Sequence, residues 1–105
     1  MLRLGNEKKQ LNVVCDQIGT PTYAKDLAET IVKIITTNCK SYGIYHYSNE
    51  GVASWYDFAV VIFELSNLDV TVLPINSIYY KTPAERPKFS VMDKSKIKKV
   101  LNFQI

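Results

Sequence analysis

The sequence predicts an α/β domain in which helices pack on a small, partly parallel sheet. A β-prone run at residues 11–15 is followed by a segment at 23–37 whose apolar residues recur at helical spacing, and a second β-prone run follows at 43–47. A strand, a helix and a strand joined at this distance form a βαβ unit, whose two strands are parallel. A further helix predicted at 55–65 and a further strand predicted at 70–75 extend the same alternation.

The first elements are predicted by short local signals. Residues 1–9 are typical of the end of a helix, with Gly5 at a position where a turn would break it. In the helix at 23–37, Thr22 is the expected N-cap, and Asp26 favours the first turn through the helix dipole. We therefore expect a strand, a polar loop and an amphipathic helix in succession.

The helix predicted at 55–65 has a clear start signal and an unusual composition. Ser54 is the expected N-cap, and Asp57 at the third helical position completes a variant of the capping box. Nearly every other residue is apolar, and only Asp57 and Glu64 are charged. A helix that is apolar around most of its circumference is buried on more than one side. We therefore expect part of its cover to come from residues outside this chain, and we expect the uncovered face to favour self-association.

The composition is that of an ordinary globular domain. Of the 105 residues, 47% are hydrophobic and 22% are charged, which predicts a single domain over residues 1–105 with a sizeable core. No apolar run reaches the length of a membrane span, and the charged N-terminus lacks the apolar core of a signal peptide. We therefore expect a cytoplasmic protein without a membrane partner. Cys15 and Cys39 are isolated, which favours reduced structural thiols over a zinc site or a disulfide.

The segment at 82–96 is the one that most directly indicates a function. Pro83 and Pro87 fix φ and bias their preceding residues away from helix, so we expect Arg86 on an extended and pre-set backbone. A guanidinium held in this way presents a planar fork of donors that matches phosphate or carboxylate oxygens. The pattern therefore predicts an anion clamp, and a surface loop with one solvated arginine is the alternative.

Positive charge is concentrated near the end of the chain. Residues 81–99 include seven Lys or Arg residues and two carboxylates, which gives this segment a net charge of +5, whereas the net charge of the whole chain is +3. Four of these lysines belong to a final helix expected at 94–101, with Asp93 as its N-cap. A local excess of this kind suits an anionic ligand, and nucleic acid is one candidate. A solvated lysine face on the last helix is the other interpretation.

Motifs that hold a dinucleotide or transfer a hydride are missing from the sequence. A dinucleotide-binding loop needs closely spaced glycines, and Gly5, Gly19, Gly43 and Gly51 are too far apart. A hydride-transfer site of the short-chain type pairs a tyrosine with a lysine four positions later, and none of the seven tyrosines has one. His46 has no visible nucleophile partner, so we interpret it as structural. We therefore expect this chain by itself to bind no cofactor.

Four blocks of sequence carry a family resemblance. They are VCDQIGTPTYAKDLA at 14–28, GIYH at 43–46, SWYDFA at 54–59, and TPAERP with SVMD between 82 and 93. In this order they resemble the C-terminal part of the dTDP-4-dehydrorhamnose reductase family, and the resemblance covers nearly the whole chain but only about the last third of such an enzyme. It implies the C-terminal portion of a Rossmann-type extended short-chain reductase, trimmed at both ends and inert by itself. In the intact enzyme an N-terminal domain holds NADPH, and the 4-keto group of a dTDP-6-deoxy-hexulose is reduced to give dTDP-L-rhamnose.

The resemblance also implies roles for individual residues. Arg86 matches an arginine that contacts the substrate diphosphate in related nucleotide-sugar enzymes, which agrees with the anion clamp. Gln17 and Thr22 lie in the loop after the first strand, where such folds bind ligands, and are candidates for lining the sugar pocket. Trp55 is a candidate for stacking on a ring, with a place in the core as the alternative. Some relatives carry a second arginine where this chain has Gly19.

Two other functions stay open at this point. The basic end of the chain fits a stand-alone module for a polyanion such as RNA, whose affinity would fall steeply with salt. A non-catalytic regulatory relative of the reductases would need only the fold and no ligand. The first hypothesis is the substrate-binding part of the reductase, with a dTDP-sugar as ligand, NADPH bound only in the intact enzyme, and no nucleic acid as partner.

Overall fold

The computed structural model describes every residue except those at positions 39, 103 and 104. The chain divides into two compact units. The first unit consists of Met1–Gly19 and Val52–Ser90, and the second consists of Thr20–Gly51 and Val91–Ile105.

Helices and short strands alternate along the chain, which confirms the α/β class. In chain order the elements are α1 (Leu2–Glu7), β1 (Gln10–Val14), β2 (Ile18–Gly19), α2 (Ala24–Thr36), β3 (Ala53–Ser54), α3 (Trp55–Leu65), β4 (Thr71–Ile75) and α4 (Ser95–Leu101), with a 3₁₀ turn at Ser77–Tyr79.

A parallel pair of strands, β1 and β4, forms the sheet on which the first unit is built. The two strands pair in register, with Val14 opposite Ile75. The Ile75 carbonyl accepts the N–H of Cys15 at 3.0 Å, so the odd-numbered residues of β4 face β1 and Pro74 faces away from it. The missing N–H of Pro74 therefore removes no hydrogen bond from the ladder, and β4 continues through the proline to Ile75.

The predicted pairing of β1 with residues 43–47 is wrong. These residues form no strand. The Ile44 side chain is 81% exposed, and its carbonyl accepts a hydrogen bond from Lys96 Nζ at 2.8 Å. The Tyr45 hydroxyl donates to the carbonyl of Ser41. Aromatic and branched residues fit a pleated surface, but they do not determine which strand becomes the partner.

The core of the first unit lies between α3 and the parallel sheet. Val13, Ala59 and Phe63 form its buried cluster, with exposures of 9%, 0% and 2%. The predicted bounds and capping box of α3 are confirmed. Ser54 Oγ accepts the Asp57 N–H at 3.1 Å, and the Asp57 carboxylate accepts the Ser54 N–H at 2.8 Å.

Helix α1 continues through Gly5 instead of breaking there. A Cβ at position 5 would lie 2.6 Å from the ring of Phe63, which is closer than real Cβ atoms come. The glycine therefore permits close packing of α1 on α3, and the predicted turn is wrong.

In the second unit, Asn49 holds the beginning of α2. Its Oδ1 accepts the Tyr23 N–H at 2.8 Å, its amide nitrogen donates to Asp26, and its carbonyl accepts from Lys94 Nζ at 2.7 Å. Tyr23 is therefore the N-cap residue of α2, and the prediction of Thr22 as the cap is wrong. An acceptor from a distant loop replaces the local side chain.

Helix α4 begins one residue later than predicted. Its N-cap residue is Lys94, so the prediction of Asp93 is wrong by one position. The Asp93 carboxylate nevertheless accepts the Ser95 N–H at 2.8 Å, which satisfies one of the free donors at the helix start. Ile97 is the buried residue of the helix, at 2% exposure.

Three observations concern possible sites of other kinds. No helix formed by the described residues is long and apolar enough to cross a membrane. Cys15 is a free, half-buried thiol, whereas Cys39 lies outside the described residues. The described residues contain no group of three or more side chains suited to hold a metal ion.

Candidate functional site

The carboxyl ends of β1 and β4 meet at one edge of the parallel pair. Because Val14 lies opposite Ile75, the residues two positions beyond them, Asp16 and Ser77, come together there. One oxygen of the Asp16 carboxylate accepts the Ser77 N–H and the other accepts its hydroxyl, each at 2.8 Å. This edge is where folds with parallel strands usually bind their ligands.

Ile18 holds two further segments at the same edge. Its N–H donates to the Lys88 carbonyl at 2.8 Å, and its own carbonyl accepts the Ser90 N–H at 2.9 Å. It also lies opposite Ser54 in the antiparallel pairing of β2 with β3. Three segments that are far apart in the sequence therefore meet at Ile18.

Three of the four candidate binding residues belong to these segments. Gln17 precedes Ile18, Trp55 follows the strand that pairs with Ile18, and Arg86 lies two residues before the carbonyl that accepts from Ile18. Gln17 is half-buried, and Arg86 is exposed. Trp55 is 49% exposed, so its ring is not part of the buried core. The first unit thus gathers the backbone segments of an arginine, an amide and an aromatic ring.

The Arg86 side chain is available for a ligand. Within the part of the chain that the structure describes, its guanidinium makes no ion pair and no hydrogen bond. The other arginine of the chain, Arg3, is bound to Glu7 at 3.0 Å. The Thr82 hydroxyl donates to the Ala84 carbonyl at 2.7 Å and so fixes the turn that leads to Arg86.

Thr22 is not among the residues that the first unit brings together, because it belongs to the second unit. Its hydroxyl donates to the carbonyl of Thr20 at 3.1 Å and closes a local turn. At Gly19, where some relatives were expected to carry a second arginine, a Cβ would lie 2.9 Å from Ser90 Oγ. The pairing of Ile18 with Ser90 therefore leaves little room for a side chain at position 19 unless the serine hydroxyl moves.

Asp16 is ionised at neutral pH. Partial loss of hydration acts to raise the pKa of Asp16, but the hydrogen bonds from the hydroxyl and N–H of Ser77 act in the opposite direction. The nearby charge of Lys88 adds to their effect, and the pKa of Asp16 lies below its ordinary value of 3.8. The carboxylate is therefore a charged acceptor for both Ser77 donors.

Sequence reasoning did not find the contact between Asp16 and Ser77. The signal for it is the equal spacing of these residues beyond the paired strand ends, Val14 and Ile75. That signal becomes visible only when β1 is paired with β4, and the predicted pairing was a different one.

The lysines of α4 are largely engaged within the second unit. The Glu50 carboxylate binds Lys94 at 3.2 Å and also binds Lys98. Lys96 Nζ lies 4.4 Å from the centroid of the Tyr45 ring. The hydrogen bonds from Lys98 and, to a smaller extent, Lys94 lower the pKa of Glu50. Lys94, Lys96 and Lys98 are therefore neither a free basic surface nor a fully solvated face.

The fold is an α/β domain in which Arg86, unpaired among the described residues, lies on a segment held near the carboxyl edge of a parallel strand pair. The family model described as the RmlD substrate binding domain matches residues 1–105, and the chain belongs to this family. The resemblance found in the sequence is thereby confirmed.

Individual proteins similar to this chain support the same family. The chain is 46% identical over 92 residues to the spore coat polysaccharide biosynthesis protein SpsK of Bacillus subtilis, covering 88% of this chain and 31% of that protein. It is 41% identical over 115 residues to the dTDP-4-dehydrorhamnose reductase of Aggregatibacter actinomycetemcomitans, covering 99% of this chain and 39% of that protein. A crystal structure of dTDP-4-dehydrorhamnose reductase from Bacillus anthracis in complex with NADP matches with a TM-score of 0.86 and 43% identity, over 92% of this chain and 34% of that one. The chain thus spans between about three and four tenths of the length of these relatives.

Proposed function

We propose that the chain is the substrate-binding part of an NADPH-dependent dTDP-4-dehydrorhamnose reductase, in which it binds the dTDP-sugar whose 4-keto group is reduced. The observation that carries the proposal is the guanidinium of Arg86, which has no partner among the residues that the structure describes and lies on a segment fixed at the carboxyl edge of the parallel pair. The family and the printed names of the relatives support the choice of substrate. A cytoplasmic location, with no nucleic-acid or membrane partner, is part of the same proposal.

Arg86 binds the diphosphate of the dTDP-sugar. Its planar fork of N–H donors matches two phosphate oxygens at once, and a hydrogen bond to a charged group contributes about 1.5–3 kcal/mol. Gln17 offers an amide to the sugar, and Trp55 offers a half-exposed ring face for stacking. Thr22 lies in the second unit, and its place at the sugar stays a prediction from the family resemblance. The work of these residues is to bind and orient the sugar nucleotide.

NADPH binds outside the residues of this chain. Gly5 lies inside α1 against Phe63 and Gly19 lies inside β2, so neither of these two glycines belongs to a loop that could cradle a pyrophosphate. NADPH supplies the hydride in the proposed reaction, and we assign no contact with it to this chain. We likewise assign no catalytic residue.

The test is an NMR titration of the 105-residue chain with dTDP, with UDP as the control ligand. A micromolar complex needs about 8 kcal/mol, more than one arginine and a few neutral contacts supply, so we expect a Kd of roughly 1 mM. Arg86→Ala should abolish the saturable shifts, whereas Arg3→Ala, at the other arginine, should leave them. Equal responses of the two variants would contradict the proposal.

A stand-alone module for polyanions is the second candidate. The engagement of Lys94, Lys96 and Lys98 within the second unit disfavours it. Binding of single-stranded RNA that weakens steeply with salt would favour it over the dTDP-sugar. A non-catalytic regulatory relative is the third candidate, and it would show neither kind of binding.

We also propose that the exposed face of α3 is a self-association surface. Trp55, Phe58, Val61 and Leu65 lie on one side of the helix and are 49%, 37%, 49% and 80% exposed. A contiguous apolar face of this kind favours association. Sedimentation should show an oligomer that grows with concentration and that Val61→Glu suppresses. A strict monomer at high concentration would contradict this part of the proposal.

A further inference from the structure

The segment that carries Arg86 is closed into a loop by two residues that are near neighbours in the sequence. Asp16 binds Ser77 at its beginning, and Ile18 binds the Lys88 carbonyl at its end. Two positions of extended chain span at most about 7 Å, so the two ends of the loop lie close together. Compact surface loops with adjoining ends are often functional.

This loop consists of residues 77–88. A side chain holds its beginning, and a backbone hydrogen bond holds its end. Both oxygens of the Asp16 carboxylate are used, one on the N–H and one on the hydroxyl of Ser77, each at 2.8 Å. The Ile18 N–H holds the end at 2.8 Å. A substitution at position 16 therefore releases one end of the loop and leaves the other end in place.

We propose that Asp16 is a positioning residue that acts through Arg86. By fixing the beginning of the loop, it restricts the region that the guanidinium reaches to the strand edge where Gln17 lies. This inference rests on the proposed function, in which Arg86 binds the diphosphate of the substrate. It adds a residue that itself touches no ligand.

A carboxylate suits this task for two physical reasons. A charged acceptor forms hydrogen bonds roughly twice as strong as a neutral one, and it accepts two donors from one residue at once. A loop that is ordered before the ligand arrives also loses less conformational entropy on binding. Loosening the loop should therefore weaken binding although the guanidinium keeps all its donors.

The test compares Asp16→Ala with Asp93→Ala, a matched control in the second unit. Asp93 binds Ser95 in the same way, through its N–H at 2.8 Å and its hydroxyl at 3.0 Å. In the free Asp16→Ala chain, we expect the order parameter of the Arg86 backbone amide to fall from about 0.85 to below about 0.6. The dTDP dissociation constant should rise about tenfold. Asp93→Ala should change neither quantity.

Two further variants keep the inference testable if Asp16→Ala fails to fold. Ser77→Ala removes only the hydroxyl donor and should reproduce a smaller part of both effects. Asp16→Asn keeps one neutral acceptor for the Ser77 N–H, so its Arg86 order and its affinity should lie between those of the unaltered chain and Asp16→Ala. Unchanged affinity in Asp16→Ala, or weaker affinity with Arg86 as ordered as before, would overturn the inference.

The same titrations separate this inference from the proposed function. If Arg86→Ala binds dTDP as tightly as the unaltered chain, the proposed function fails. If Arg86→Ala weakens binding while a folded Asp16→Ala does not, only the positioning role of Asp16 fails.

Discussion

Gly5→Ala should destabilise the chain, although helices generally prefer alanine to glycine. In a helix interior, alanine is favoured over glycine by about 1 kcal/mol. Here the new Cβ would lie 2.6 Å from Cε1 and 3.1 Å from Cδ1 of Phe63. Phe63 is 2% exposed and packs with Val13 and Ala59, so the ring cannot move away from the new Cβ without disturbing this buried cluster.

The magnitude follows from these two opposing effects of Gly5→Ala. Forcing an extra carbon into a packed core costs about 1–3 kcal/mol, so a net loss of about 1 kcal/mol remains after the gain in helix preference. For a domain of about this size, that loss lowers Tm by roughly 4–8 °C. Urea unfolding of the 105-residue chain measures the change in free energy directly. A variant stabilised by the full helix preference would refute the reasoning.

A second background isolates the role of the ring. Phe63→Leu removes Cε1, the atom 2.6 Å from the new Cβ, so Gly5→Ala should be less destabilising in that background. In a double-mutant cycle, the free-energy cost of Gly5→Ala should therefore be smaller with leucine than with phenylalanine at position 63. Destabilisation of the same size in both backgrounds would show that Phe63 is not the obstacle.

Two further predictions concern a helix cap and an ion pair. Ser54→Ala should cost about 1 kcal/mol in urea unfolding, because the Asp57 N–H loses its acceptor at the start of α3, and Ser54→Thr should retain most of that stability. The hydrogen bonds of Glu50 to Lys98 and Lys94 lower its pKa from 4.5, so this contact stabilises the fold above that value and is lost as pH falls through the lower, folded-state pKa. The Tm difference between the unaltered chain and Glu50→Gln should therefore be complete near neutral pH and shrink on acidification below 4.5. A difference that is independent of pH would contradict this assignment.

Helices were predictable where their signals lie within a few residues, and strand pairing was not. The bounds of α3 follow from a capping box that is complete between Ser54 and Asp57. The cap of α2 was missed because the helix begins after Tyr23, whose N–H is bound by Asn49 from a distant loop. Residues 43–47 have the composition of a strand, but a strand also needs a partner, and β1 pairs with β4.

In the candidate site, too, features with a local sequence signal were predictable and long-range contacts were not. Arg86 was singled out because its flanking prolines are a local signal, and its family match is carried by neighbouring residues. The contact of Asp16 with Ser77 depends on the register of β1 against β4, and no local pattern contains that register. Trp55 was ambiguous for a related reason, since an apolar helix does not reveal which of its faces the rest of the chain covers.

The outward-facing proline of β4 affects how copies of this chain can join. An open strand edge, with its unpaired N–H and C=O groups, is a template on which strands of other molecules can assemble. Pro74 offers no donor on the side of β4 that faces away from β1, so this edge is a poor seed for cross-β growth. Contacts between copies should therefore be made by side chains of the helix surface and remain reversible, instead of progressing to fibrils.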